Sequence, residues 1–231
     1  MVDLRVVHLR HSDPDERPSS VARTERSYYF RSSMQKGEQT RAAILDEALR
    51  LASTVGLEGL TIGRLAEELD LSKSGLFAHF DSKENLQLAL LDRAAERFAE
   101  VVIRPALAEP PGERRLRVLF ERWLEWPKRV RQPGGCIWVA AASELDDRPG
   151  AARERLVALW RDWLTSVARV VRSGQKIGDF RADVDSEQVA FEVNGIGLAW
   201  HLESRLLGDR RALDRARAAF ERLVAGARPR R

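Results

Sequence analysis

A single cysteine, Cys136, stands in a chain of 231 residues, which excludes an intramolecular disulfide and any zinc site built on several thiolates. Histidine is scarce too. His8, His11, His79 and His201 share no HxxxH or HExxH spacing, so no metal and no cofactor is expected. No uncharged run approaches the roughly 18 residues of a membrane span, and the first residues, with Asp3 and Arg5, lack a signal peptide's apolar stretch. A Gly-rich phosphate loop is missing, as is any Ser/His/Asp or Cys/His set at telling positions, so an enzyme is not expected. These absences together predict a reducing, cytoplasmic setting with no membrane partner.

What is present fits a globular protein. Hydrophobic residues make up 44% and charged ones 32%, enough for a sizeable core. The net charge of +4 hints at nucleic acid, but its distribution weakens the hint. Residues 34–85 hold 6 Lys/Arg against 9 Asp/Glu, whereas residues 86–231 hold 27 against 21. Bulk charge therefore does not mark a DNA reader, and any such reading must come from pattern.

Residues 1–35, rich in Arg, Ser, Asp and Pro, show no helical periodicity and read as a flexible arm. Arg23, Arg26 and Arg31 could enter a minor groove, although the net charge of the arm favours a plain solvated segment. Met34, just ahead of the first clear helix, is an alternative start of translation. From Gln39 the pattern sharpens. Ile44, Ala48, Leu51, Ala52 and Val55 recur at helical spacing until Gly56. Ile62, Leu65, Ala66 and Leu69 form a second stripe that Thr61 can cap, and Ser72 can cap a third helix running to Phe80. Asp81 and Glu84 have capping-box spacing for a fourth. Two short helices after a longer one make the helix-turn-helix plan.

On the third helix, Ser72, Leu76, His79 and Phe80 cluster within roughly 100° of arc, which predicts the buried side. The opposite face is small and free of acid. Lys73 can reach a phosphate or guanine, Ser74 a base edge, and the Ala78 methyl a thymine methyl. The geometry alone fits a structural hairpin equally well. The residues decide between them. The run Thr61 to Leu86, with Ser72-Lys73, Leu76, His79-Phe80 and Ser82-Lys83-Glu84-Asn85-Leu86 at its centre and Thr40-Arg41 and Ile44 upstream, resembles the DNA-binding domain of the TetR family of bacterial regulators. That resemblance implies phosphate contacts from Thr40, Thr61, Ser72, His79 and Lys83, and base or backbone contacts from Lys73, Ser74 and Gly75. Phe77 stands where the family often has Tyr, so a phosphate-binding hydroxyl is lost there. Sparse polar groups leave more of the readout to DNA shape.

Beyond Leu86 the chain reads as helix throughout, the fourth helix running to an end at Pro105, with breaks at Pro110-Pro111-Gly112, Pro133-Gly134-Gly135, Asp146 to Gly150 and Gly174. The expected fold is all-α: an N-terminal three-helix helix-turn-helix DNA-binding domain over 36–85, then a helical ligand-binding and dimerisation domain over 86–231. Phe120, Trp123, Trp126, Trp138, Trp160 and Trp163 crowd the middle of that second domain. Such rings usually fill core, but together they suit a pocket for a small, largely apolar effector, as the resemblance also implies. The segment Gly134 to Gly150 looks like a C-terminal motif of part of the family. Val193, Ile196, Gly197 and Trp200, with Phe220 and Leu223 on the last helix, are the expected homodimer interface. The functional expectation is a ligand-responsive regulator, a repressor, binding a palindromic double-stranded operator. The alternative is a small-molecule-binding helical protein that has lost DNA affinity.

Overall fold

Helix formation begins well before the apolar stripe does. A computed structural model describes residues 20–229, and its first helix, α1, spans Ser20–Gly59. The chain divides into two units, Met1–Arg41 and Ala42–Arg231. The described part of the first unit is helix, and residues 20–35 of it fall in the stretch expected to be a flexible arm. Arg23, Arg26 and Arg31 lie on it, while residues 1–19 lie outside the described residues. Periodicity finds a helix only through the face it buries, and a helical extension with no such stripe leaves that signal silent.

The second unit is helical throughout its described residues, with no strand. Within α1, Gly56 breaks the helical geometry at φ 79° and ψ 167°, as its position predicted, and one further turn follows. Helix α2 (Ile62–Glu68) is capped by Thr61, whose hydroxyl accepts from Arg64 N at 3.1 Å. The connection bends through Asp70 at φ 52°, and Leu71 N–H bonds back to the Ala66 carbonyl at 2.9 Å. Helix α3 (Lys73–Phe80) is capped by Ser72 and is too short to persist alone. Burial of Leu76 and Phe80, each worth about 2 kcal/mol, pins it to its neighbours.

Helix α4 (Lys83–Phe98) starts differently from the expected capping box. Asp81 ends α3 in a left-handed conformation at φ 59°, and Ser82 is the cap, its hydroxyl accepting from Asn85 N at 3.1 Å. A π-helical turn (Ala99–Ile103) then leads into α5 (Arg104–Ala108), so Pro105 sits in the first turn of a helix rather than ending one. The remainder is α6 (Glu113–Arg129), α7 (Ile137–Leu145), α8 (Ala151–Ile177), α9 (Ser186–Arg205) and α10 (Ala212–Ala227). Helix α8 runs straight through Gly174. There the glycine allows close packing, since a Cβ would come within 2.4 Å of the Phe180 ring. The helix stops instead at Gly178, φ 84°.

Candidate nucleic-acid interface and effector region

The reader is built from the caps outward. Ser72 Oγ accepts the Gly75 N–H at 3.1 Å and lies 3.3 Å from Ser74 Oγ, which fixes the entry to α3. With Leu76 and Phe80 turned inward, Lys73, Ser74, Gly75, Phe77, Ala78 and His79 are exposed, Phe77 by 54%. Ser72 and His79, expected on the buried side, are exposed as well. Two large apolar anchors on an eight-residue helix suffice to orient it. No acidic residue occurs between Lys73 and Phe80.

Thr61 begins α2 close to the start of α3. The Lys73 side chain crosses the first turn of α2, its Cε 3.5 Å from where a Gly63 Cβ would stand. Its nearest carboxylate contact is a loose one, Glu67 at 3.9 Å with both side chains largely in solvent. Such a pair is worth little and leaves the ammonium available to a phosphate. Lys83 is placed otherwise, donating to the Glu58 carbonyl at 2.8 Å and to its carboxylate at 3.0 Å. Thr40 is exposed and belongs to the first unit.

Glu58 is the hub that joins this head to the rest of the second unit, and sequence patterns did not reveal it. Its carboxylate receives Gln87 Nε2 at 2.8 Å and Lys83, with Arg148 3.2 Å away. The hydrogen bonds from Gln87 and then Lys83 hold its carboxyl below the usual range. Glu144 of α7 accepts the Glu58 backbone N–H at 2.7 Å, in the space that Gly56 leaves open. A second link runs through the α6–α7 loop. Gly134 N–H donates to Ser53 Oγ at 3.0 Å, and Gly134 lies so close that a Cβ would fall 1.5 Å from the Ser53 carbonyl oxygen. His201 Nε2 accepts the Cys136 N–H at 3.2 Å, and Arg205 donates to the Pro133 carbonyl at 2.7 Å. The motif from Gly134 to Gly150 therefore touches α1 at both ends.

The six candidate pocket residues do come together. Phe120, Trp123, Trp126, Trp138 and Trp163 are buried and Trp160 is half-buried. Phe98 of α4 is the ring they surround, with centroids 5.3 Å from Trp126, 4.8 Å from Trp138 and 5.4 Å from Trp163. Trp123 meets Trp163 at 4.8 Å, and Phe120 stacks on Phe220 at 4.0 Å. Among the described residues, the indole N–H groups of Trp126, Trp138, Trp160 and Trp163 have no hydrogen-bond acceptor, and neither Asn194 Oδ1 nor Gln132 Nε2 has a partner. Cys136 is buried, and desolvation pushes its thiol up, so the helix start does not make it a reactive thiolate.

The candidate interface residues divide. Val193, Gly197 and Phe220 are buried inside the subunit, Gly197 so tightly against Trp123 that a Cβ would come within 2.1 Å of the indole. Their apolar character serves the core, which helical spacing cannot separate from an interface. Ile196, Trp200 and Leu223 are half-buried. The apolar face of α9 that is left open carries Phe191 (69% exposed), Leu198 and Leu202. A shallow groove of about 460 Å³, floored by small residues such as Gly195, Ala199 and Ala216, lies between α9 and α10.

Fold and site together define a helix-turn-helix protein whose reading helix is mounted on a helical body. Family comparison agrees with this class. The family model for bacterial regulatory proteins of the tetR family matches residues 44–90, and that for the tetracyclin repressor-like C-terminal domain matches residues 112–220. The chain belongs to the TetR family. It is similar to the HTH-type transcriptional repressor AcnR of Corynebacterium diphtheriae, 45% identical over 69 residues, covering 30% of this chain and 36% of AcnR. It is 29% identical over 155 residues to the HTH-type transcriptional repressor NicS of Pseudomonas putida, covering 65% of this chain and 70% of NicS. The chain thus spans little more than a third of the length of AcnR, in contrast to NicS. Among solved structures, a TetR-family regulator from Cytophaga hutchinsonii superposes with a TM-score of 0.74 at 21% identity, over 85% of this chain and 98% of its own. These relatives are transcriptional repressors or regulators rather than enzymes. No helix among the described residues is long and apolar enough to cross a membrane.

Proposed function

We propose that this chain is a ligand-responsive transcriptional repressor that binds a palindromic operator as a homodimer and is released by a small, largely apolar effector. The observation that carries the reading is the exposed face of α3, small and acid-free, with Lys73 and Ser74 at its capped N-terminus. Backbone N–H groups there suit a phosphate, and Lys73 and Ser74 suit base edges. Thr61 and His79 supply further backbone contacts, Thr40 adds one from the first unit, and Phe77 packs against sugar without a hydroxyl bond. A cytoplasmic location follows from this role.

The second copy covers the open face of α9. Phe191, Leu198 and Leu202, with Ile196, Trp200 and Leu223 beside them, pack across a two-fold axis, and larger side chains of one protomer fill the small-residue groove of the other. The aromatic cluster around Phe98 is the effector site. Ring faces give it affinity for an apolar ligand, and four unpartnered indole N–H donors favour one that carries acceptor oxygens. Ligand entry displaces α6 and α7, and the shift reaches the head through Glu144–Glu58 and Gly134–Ser53.

The test is selection of random duplex DNA on the purified protein, with a Lys73→Ala/Ser74→Ala variant alongside. Enrichment of a palindrome by the wild type alone supports the reading. A folded dimer that enriches nothing at low salt is a ligand-binding protein without DNA affinity, and the reading fails.

A further inference from the structure

A cleft of about 1040 Å³ lies between the end of α6, the loop after it, the end of α9 and the start of α10, with Arg50 of α1 on its rim. None of the six rings assigned to the effector site lines it. Its walls carry six Lys/Arg side chains and one carboxylate, Glu125. Three of these cations are neutralised: Arg50 by Glu47 and Glu68, Arg129 by Glu125, and Arg217 by Glu121. The other three, Lys128, Arg131 and Arg205, pair with no carboxylate among the described residues, and the Arg205 guanidinium donates to the Pro133 carbonyl. Like charges gathered on one concave wall repel one another and raise the local concentration of anions. Arg131 is held there at φ 55°, a left-handed conformation unusual for arginine.

Gln132 supplies an independent sign of a ligand. It lines the cleft, is only 3% exposed, and accepts from Ile137 N at 3.4 Å through Oε1. Its Nε2 amide, a donor of two hydrogens, has no acceptor among the described residues. The rest of the wall is mostly apolar, from Leu124, Pro127, Trp200 and Leu213, with His201 and Ser204 among them. Such a concave, largely apolar space with a few convergent polar groups is what a small molecule needs. A nucleic-acid backbone would instead meet a long cationic surface.

We propose that this cleft is a second ligand site, specific for an amphipathic anion. The apolar body lies against Leu124, Pro127 and Leu213. The acidic headgroup, carboxylate or phosphate, is held by Lys128, Arg131 and Arg205, and the buried Gln132 amide turns toward the cleft to donate to a ligand oxygen. Gln132 lies two residues from Gly134, whose N–H is bonded to Ser53 of α1, so occupancy braces the loop that ties the body to the head.

Calorimetric titration of the purified full chain, without DNA, tests this with four probes that share one alkyl chain: decanoate, decyl phosphate, decanol and decyltrimethylammonium. At least one anion is expected to bind at one per chain, about tenfold or more tighter than the neutral and cationic probes. The tighter anion identifies the headgroup. A Lys128→Gln/Arg131→Asn variant removes two exposed charges that have no partner to lose, and asparagine tolerates the left-handed conformation. It should bind the anion about tenfold more weakly, whereas Trp160→Phe in the aromatic cluster should not change the affinity. The proposal is overturned if neither anion binds, if decyltrimethylammonium binds as tightly, if the double variant keeps its affinity for the anion, or if Trp160→Phe weakens the anion as much as the double variant does. Because no DNA is present, failure to select an operator does not bear on this result.

Discussion

Gly134→Ala should be among the most costly single-methyl additions to this protein. The new Cβ would stand 1.5 Å from the Ser53 carbonyl oxygen, 2.0 Å from the Ser53 carbonyl carbon and 2.6 Å from Thr54 N. All three are backbone atoms within a helix and cannot rotate away. The loop and α1 must separate by about 2 Å to restore ordinary contact, which also breaks the 3.0 Å bond from Gly134 N–H to Ser53 Oγ. Overpacking costs about 1–3 kcal/mol, and the lost hydrogen bond adds about 1 kcal/mol. At about 2–4 °C per kcal/mol for a chain of this size, the midpoint should fall by roughly 5–15 °C in a thermal melt followed by circular dichroism. Gly226→Ala is the matched control. A Cβ there meets nothing within 4 Å, and the change replaces glycine inside α10, so the midpoint should hold or rise by about 1–3 °C. If Gly134→Ala melts within 1 °C of the wild type, the close approach of this loop to α1 is refuted.

Other perturbations probe the hub, the buried imidazole and the reader. Glu144→Ala leaves the Glu58 N–H without its acceptor and should cost about 1–2 kcal/mol in urea unfolding, whereas Glu144→Gln keeps an oxygen in place and should cost less. Equal losses in the two variants would contradict this account. His201 is held below its ordinary pKa by burial first and by Arg205 second, and its Nε2 must stay unprotonated to accept from Cys136 N–H. Its folded pKa therefore lies below its unfolded one, so its contribution is complete above about pH 6.5 and is lost as pH falls through the folded value. Urea midpoints taken from pH 7.5 down to 5 should drop for the wild type and flatten for His201→Gln. Phe77→Tyr places a hydroxyl on an exposed ring of the reading helix and should tighten operator binding about three- to tenfold in a fluorescence anisotropy titration. An unchanged affinity would place Phe77 outside the phosphate contact.

Much of this protein was legible in its sequence because local rules write themselves locally. Thr61 and Ser72 cap α2 and α3, Gly56 interrupts α1, and Leu76 and Phe80 are the anchors of α3, each read from spacing and side-chain chemistry within one or two turns. The same locality explains the local errors. Gly174 signalled a break but permits packing on Phe180, and Pro105 signalled an end but begins α5 after a π-helical turn. Asp81 has the right spacing for a cap but occupies the left-handed end of the preceding helix, leaving the cap to Ser82.

What the sequence by itself determined is therefore the all-helical class, the reading helix with Lys73 and Ser74 on its exposed side, and the crowding of tryptophans in the body. Only the tertiary structure decided which partners those residues meet. Helical spacing puts Val193, Gly197 and Phe220 on an apolar face but cannot say whether that face meets Trp123 and Phe120 or a second chain. The Glu58 hub joins residues 25 to 86 positions apart, and the cationic cleft draws on α1, α6, α9 and α10 at once. The physical reason is range. Caps, breaks and amphipathic stripes act over a few residues of the same helix, whereas a charge left unpaired or a backbone pressed against a glycine exists only once distant helices have packed.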